Sequence, residues 1–187
     1  MSSTMDTRPH TPVADSTELA PAPTTFSLRR LHAERLLDAH LPVLRRIHGR
    51  AQTMAGLGGV RTAAESVLAL QRHLAHWDRH GFGMYVLREV ATGRVVGVTG
   101  LRHIPIEGMD EVELRCALFP EHWGQGLGTE AARACVTIGR DWVGLSSVVG
   151  LVGRDDTVPQ RMLEKAGLVF EREVTVGRAP RLLYRTD

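Results

Sequence analysis

The sequence predicts one mixed α/β (α+β) domain whose elements run βααββ and then βαβαββ, with about four helices flanking the strands. Three observations carry this expectation. Met84 to Val90 and Val95 to His103 are β-rich runs separated by a short turn sequence containing Ala91, Thr92 and Gly93, the pattern of an antiparallel hairpin. Val67, Leu70, Leu74 and Trp77 recur with helical period behind Thr62 and Glu65, which have the spacing of a capping box. A strand from Val112 to Phe119 then passes through a glycine-rich turn into a helix from about Leu127 to Trp142, carrying Ala131, Ala134, Cys135 and Ile138.

The remaining elements follow in order. Residues 1–25 are rich in Ser, Thr, Pro and Ala and nearly free of large apolar side chains. They cannot repay the entropy of ordering, so they are read as a disordered tail ahead of a domain at 26–187. Phe26 to Leu31 reads as a short strand. Asp38 is placed to cap a helix through Leu41, Leu44 and Ile47 toward Gly49, with Pro42 leaving its start open. After a loop containing Gly56, Gly58 and Gly59 comes the capping-box helix, Ala63 to about His80. Pro105 and Gly108 end the hairpin. Beyond the central helix, Ser147 to Val152 is a largely apolar strand, Asp156 or Thr157 caps a helix ending at Gly167, and Val169–Val176 and Leu182–Arg185 are the last strands.

Composition narrows the class. A chain of 187 residues with 43% hydrophobic residues suits a single soluble domain, and a net charge of +2 against 24% charged residues lacks the basic excess of a nucleic-acid binder. Lys165 is the one lysine among 23 basic residues, so the rest are arginines, most of them read as solvated surface. Cys116 and Cys135 sit in apolar surroundings without paired spacing, which predicts buried thiols in a reducing compartment. No apolar run approaches the ~18 residues of a membrane span and no signal-like segment opens the chain. A cytoplasmic protein without membrane or nucleic-acid partners is expected.

The stretch His122-Trp123-Gly124-Gln125-Gly126-Leu127-Gly128-Thr129-Glu130-Ala131 lies between a strand end and a helix start. Glycines let bare backbone approach a ligand, and the first amides of a helix are unpaired at the positive end of its dipole. Together they make an anion site suited to a pyrophosphate. The nucleoside-triphosphate loop is excluded because no lysine lies here. Gly126-x-Gly128-x-x-Ala131 matches the dinucleotide fingerprint, but the acidic residue expected about twenty positions on is replaced by Val148-Val149-Gly150-Leu151-Val152.

Trp123-Gly124-Gln125-Gly126-Leu127-Gly128-Thr129-Glu130-Ala131 resembles the acyl-CoA pyrophosphate loop of the GNAT acetyltransferases, especially the branch that acetylates the N-termini of ribosomal proteins. The resemblance extends through Leu28-Arg29-Arg30-Leu31, Trp77 to Gly83, Gly100-Leu101, Glu113-Leu114, Pro120-Glu121-His122-Trp123 and Arg161 to Gly167. It implies the GNAT fold: a mixed, mostly antiparallel twisted sheet splayed between its fourth and fifth strands, here Val112–Phe119 and Ser147–Val152. It further implies acetyl-CoA as co-substrate, with Cys116, Ala117 and Leu118 flanking thioester and pantetheine, and Gly124, Gln125, Gly126, Leu127, Gly128 and Thr129 cradling the pyrophosphate behind Trp123. A backbone N–H near Leu118 would donate to the oxyanion. Asp156 stands where the family often has an Asn on pantetheine; it either contacts the cofactor or only caps its helix.

The implied reaction is direct attack of an amine on the thioester, with no enzyme nucleophile. Glu113 matches a Glu at the start of the family's fourth strand and is the candidate general base, through water; equally it pairs with an arginine on the sheet surface. No tyrosine falls where other branches keep a general acid, and a thiol that titrates at about 8 to 9 leaves without one. His73, His76 and His80 have i, i+3, i+7 spacing, but a lone helix face seldom builds a metal site, so no metal is expected. His122 is read as solvated or beside the phosphates. The expected acceptor is a peptide N-terminus or a small-molecule amine, with a homodimer left open. The alternative is a catalytically inactive, CoA-binding sensor or interaction module.

Overall fold

A computed structural model describes residues 21–187; the predicted tail lies outside the described residues as far as residue 20. One open sheet of eight strands organises the chain: β1 (Thr25–Ser27), β2 (Leu31–Arg35), β3 (Met84–Glu89), β4 (Val95–Ile106), β5 (Met109–Leu118), β6 (Val149–Val152), β7 (Leu168–Val176) and β8 (Ala179–Thr186). Their spatial order is β1-β2-β3-β4-β5-β6-β8-β7. Every neighbouring pair is antiparallel except β5 and β6, which run parallel and meet at a single pair, Glu113 with Val149. The helices are α1 (Leu41–His48), the short α2 (Ala51–Met54), α3 (Ala63–His80), α4 (Leu127–Asp141) and α5 (Thr157–Lys165).

Alternation along the strands sends side chains to two cores. Met84, Val86, Val98 and Ala117 face Leu44 and Ile47 of α1, Met54 of α2 and Leu70 of α3. Leu87, Leu101, Leu114 and Leu118 face Leu127, Ala131 and Cys135 of α4 and Leu163 of α5. At the sheet's centre Gly100 has φ +155°, and a Cβ there would lie 2.3 Å from the Gly83 carbonyl oxygen, so only glycine lets β4 cross this close to the start of β3.

Four sequence expectations change. Residues 22–25 belong to the fold: Ala22 is buried and its N–H donates to Gly81 O at 3.1 Å, and the Tyr85 hydroxyl donates to Pro23 O at 2.8 Å. Small residues held by main-chain bonds give no hydrophobic signal. The predicted strand Phe26–Leu31 is two strands with a turn between them, because the Arg30 N–H donates to the Glu130 carboxylate at 2.9 Å and leaves the ladder. Residues 51–57, read as loop, form α2 and a 3₁₀ turn.

Pro105 does not end β4. It pairs with Asp110, and the ladder alternation set by Phe119 N–H to Val96 O puts position 105 at a non-hydrogen-bonded pair. Its missing donor therefore points away from β5, past the end of β3, where no strand needs it. The turn comes at Glu107 and Gly108, both with positive φ.

The capping box of α3 forms as read. Glu65 N–H donates to Thr62 Oγ1 at 3.2 Å, and Thr62 N–H donates back to Glu65 Oε2 at 2.7 Å. No helix among the described residues is long and apolar enough to cross a membrane. Thr62→Ala removes the cap and should cost about 1 kcal/mol, lowering the melting temperature by roughly 2–4 °C with the far-ultraviolet circular dichroism retained. An unchanged melting temperature would show that α3 does not depend on its box.

Candidate active site

Beyond Glu113 and Val149, β5 and β6 part. The same ladder alternation that bonds Phe119 to Val96 turns the N–H and C=O of Cys116 and Leu118 away from β4 and into this gap. Main-chain groups left without a strand partner must find another. One does: the Trp123 indole N–H donates to Leu118 O at 2.8 Å. The Leu118 N–H and both main-chain groups of Cys116 remain directed into the gap, as an extended amide-bearing ligand requires.

At the gap's end α4 begins. Its N-cap is Gly126, with φ +75° and no side-chain cap, so the amides of Leu127, Gly128 and Thr129 keep their N–H groups for an outside acceptor. Gly124 also has positive φ with no atom within 4 Å of a built Cβ, so the turn is bare on its outer side. The Leu127 side chain is buried in the core and takes no part in the outer side of the turn. Gly128 plays a different part from Gly126. Its Cβ would point inward, 3.2 Å from Met162 Sδ and 3.8 Å from Cys116 Sγ, so it lets α4 pack against α5 and β5. These features fit a pyrophosphate-bearing cofactor with a pantetheine arm.

The loop is braced by residues whose part was not legible in the sequence. Arg30, in the turn between β1 and β2, donates through Nε to Glu130 Oε2 at 2.8 Å and through Nη1 to Gln125 O at 2.6 Å, and its Nη2 lies 3.4 Å from a Cβ built on Gly126. This arginine, read as surface, puts a positive charge against the cradle. The Gln125 side chain folds back to donate to Glu121 O at 3.2 Å. Asp156 occupies the N-cap position of α5 without a capping bond; its Oδ2 instead accepts from Gly153 N–H at 3.2 Å and lies 3.1 Å from a Cβ built on Gly56. It thus sits where the loop after α2 meets the loop before α5.

On the face of β5 toward α1–α3 lies a recess of about 490 Å³ including its open mouth, lined by His48, Arg61, His73, Arg102, Arg115 and Ala117 among apolar side chains. Ala117 places the recess against the gap. Glu113 is almost fully buried at its edge. Its Oε2 accepts from Arg102 Nε at 2.8 Å and lies 2.7 Å from Nη2, while Oε1 has only a long contact of 3.4 Å with Arg115 Nη1. The arginine pairing held open in the sequence is therefore present, and Oε1 keeps accepting capacity.

The recess histidines are neutral. His48 is pushed down to about 4 by burial and then by the Arg61 and Arg115 charges; His73 is pushed down to about 3 by burial and the Arg102 and Arg115 charges. The Ser66 hydroxyl donates to Thr62 O at 2.9 Å, so it must accept from His48 Nδ1–H at 3.0 Å, and His48 Nε2 is left as an acceptor facing Arg61 Nη1 at 3.5 Å.

The three helix histidines do not act together. His73 enters the recess, whereas His76 and His80 cluster with His103. His76 Nδ1 is 2.9 Å from Phe82 O and its Nε2 accepts the His103 N–H at 3.0 Å, so neither nitrogen offers a metal a free lone pair. Cys116 and Cys135 are free thiols, pushed up to about 11 and 12 by burial, and are therefore not nucleophiles at neutral pH.

Comparison with known proteins agrees with this geometry. A family model described as "Acetyltransferase (GNAT) domain" matches residues 30–169, well over half of the chain. The protein YkkB of Bacillus subtilis, itself uncharacterised, is 24% identical over 118 residues, 60% of this chain and 69% of that protein. An acetyltransferase structure from Agrobacterium tumefaciens superposes with a TM-score of 0.78 at 23% identity, covering 92% of this chain and 99% of that one. Spermidine N-acetyltransferase from Vibrio cholerae, solved with CoA and spermine, superposes with a TM-score of 0.67 at 15% identity, covering 84% of this chain and 94% of that one.

The histidine assignment is testable without a substrate. Long-range ¹H–¹⁵N correlation should show His48 as the neutral Nδ1–H form at pH 6, unprotonated until pH falls toward 4. Because the folded value lies below the ordinary one near 6.5, the unfolded chain takes up the proton first, and stability should fall as pH drops through that window. A His48 titrating near 6.5 would contradict the buried tautomer.

Proposed function

Since the chain belongs to the acetyltransferase (GNAT) family, we propose that it is an acetyl-CoA-dependent N-acetyltransferase that transfers an acetyl group to a primary amine. The observation that carries this reading is the junction of two unfilled hydrogen-bonding surfaces. The main-chain groups of Cys116 and Leu118 open into the β5–β6 gap, and the uncapped N-terminus of α4 stands at its end. Acetyl-CoA supplies the thioester; the residues Gly124 to Thr129 hold its pyrophosphate, with Arg30 behind them, and Cys116, Ala117 and Leu118 line its arm.

In the proposed reaction the amine nitrogen enters from the recess beside Ala117 and attacks the thioester carbonyl. The carbon–nitrogen bond forms, the oxygen takes the negative charge against the Leu118 N–H, and the carbon–sulfur bond then breaks with the pair leaving on sulfur. The amine must arrive unprotonated. Glu113 Oε1, through water, is the proposed acceptor of the ammonium proton. The recess guanidiniums assist, because nearby positive charge disfavours the ammonium form of the bound amine. A peptide N-terminus and a small amine both satisfy this chemistry.

Two measurements test the proposal. CoA or acetyl-CoA should raise the melting temperature where NAD and ATP do not, adding about 2.7 kcal/mol at a hundredfold excess over the dissociation constant. Stabilisation by NAD with none by CoA would sink the cofactor assignment. For the chemistry, Glu113→Gln should lower turnover about 10²- to 10⁴-fold near neutral pH, recovering as pH rises toward the amine's own pKa, with CoA affinity unchanged. Near-normal turnover at neutral pH, accompanied by a lower melting temperature, would leave Glu113 as the anchor of Arg102 and Arg115 only. Binding of CoA with no turnover of any amine would identify a sensor module in place of an enzyme.

A further inference from the structure

Resting on the acetyltransferase reading, we infer that the acceptor is a small amine carrying an oxyanion, which the Arg61 and Arg115 guanidiniums bind in the recess while the amine reaches the gap beside Ala117. The charge inventory of the recess points this way. Arg61, Arg102 and Arg115 line it, and among the described residues Glu113 is the one carboxylate paired with any of them. Glu113 gives its short bonds to Arg102, at 2.7 and 2.8 Å. Glu65 offsets the Arg61 charge in part but makes its hydrogen bonds to the Thr62 N–H and hydroxyl, at 2.7 and 2.9 Å, so two carboxylates stand against three guanidiniums. His48 and His73 are neutral and supply no negative charge. The recess thus carries an excess of positive charge.

The donors themselves are under-used. The Arg115 side chain is 19% exposed, yet its contacts are long, 3.4 Å to Glu113 Oε1 and 3.5 Å to Leu57 O. Arg61 meets His48 Nε2 only at 3.5 Å. A guanidinium presents five N–H donors in a fixed fork matched to carboxylate or phosphoryl oxygens. At the open mouth of the recess these convergent polar groups would fix the orientation of a small molecule. A polyamine would set several ammonium groups against these guanidiniums, and like charges at close quarters are strongly disfavoured.

The test is a kinetic panel with acetyl-CoA at low salt: α-amino acids, their carboxamides, the matching aminophosphonates, and spermidine. The expected result is kcat/KM at least tenfold higher for the amino acid or aminophosphonate than for the carboxamide, with spermidine lowest. The ratio of the two oxyanion arms separates a carboxylate from a phosphoryl site. Arg61→Gln and Arg115→Gln should each cut the acid-over-amide preference about tenfold or more, the rate for the acid falling by more than that for the carboxamide, with CoA binding unchanged. Equal rates for acid and carboxamide, or a preference untouched by both substitutions, would overturn the inference and leave the acetyltransferase reading standing. If no amine turns over, that reading fails, and calorimetry of the same ligands on CoA-saturated protein still decides the oxyanion site: acid binding that both substitutions weaken supports it, and no acid binding overturns it.

Discussion

The parting of two parallel strands after one residue pair is the constraint on which the rest of the structure depends. A parallel ladder would normally continue, since unpaired buried amides are costly. Here it is clamped at one end and underlain by helices. At the clamped end Arg185 of β8 reaches across β6 to hold Glu111 of β5 in a bidentate pair at 2.8 and 2.9 Å, and also donates to Ser147 Oγ. One residue past the pair, Leu163 of α5 packs so closely on Gly150 that a Cβ there would lie 2.6 Å from its methyl carbons, while α4 packs Gly128 against Met162 and Cys116. Helices fill the layer below the gap, and the gap itself keeps its main-chain donors and acceptor.

Charge around this gap is arranged on both sides of β5. On the α4 side a helix N-terminus and Arg30 give a positive end suited to phosphate, with Glu130 holding Arg30 in place by two bonds. On the α1–α3 side lies the arginine recess. Its buried Glu113 makes the arginines tolerable in a partly desolvated site, since removing one partner of a buried pair leaves an uncompensated charge. In the proposed reaction the positive field of these guanidiniums would make the incoming ammonium easier to deprotonate.

α1 is tied to the site by another set of charges. Arg46 and Arg50 stack over the Phe119 ring, at 3.9 and 5.2 Å from its centroid, and both pair with Glu121. Phe119 is fully buried at the end of β5, where the loop toward α4 begins. The helix that walls the recess and the glycine loop before α4 therefore share one anchor. A displacement of α1 would be felt at both.

The sequence by itself determined the elements governed by local rules. The capping box at Thr62, the hairpin turn at Gly93 and the glycine loop before α4 each depend on residues within a few positions of one another, and all three stand where the pattern put them. The glycine turn leading into α4 was legible because a helix N-terminus and its glycines are contiguous. The tertiary structure alone decided what depended on distant partners. Arg30 and Glu130 are 100 positions apart, and their bond splits the first strand in two and braces the loop. Ala22 docks by main-chain bonds that carry no hydrophobic signal. Arg61, Arg102 and Arg115 read as surface because charged side chains usually are, and only the folding of α3's start over the β4–β5 face converts three scattered arginines into one recess. Periodicity reports which face of an element is buried, but which charges share that burial is fixed by long-range packing.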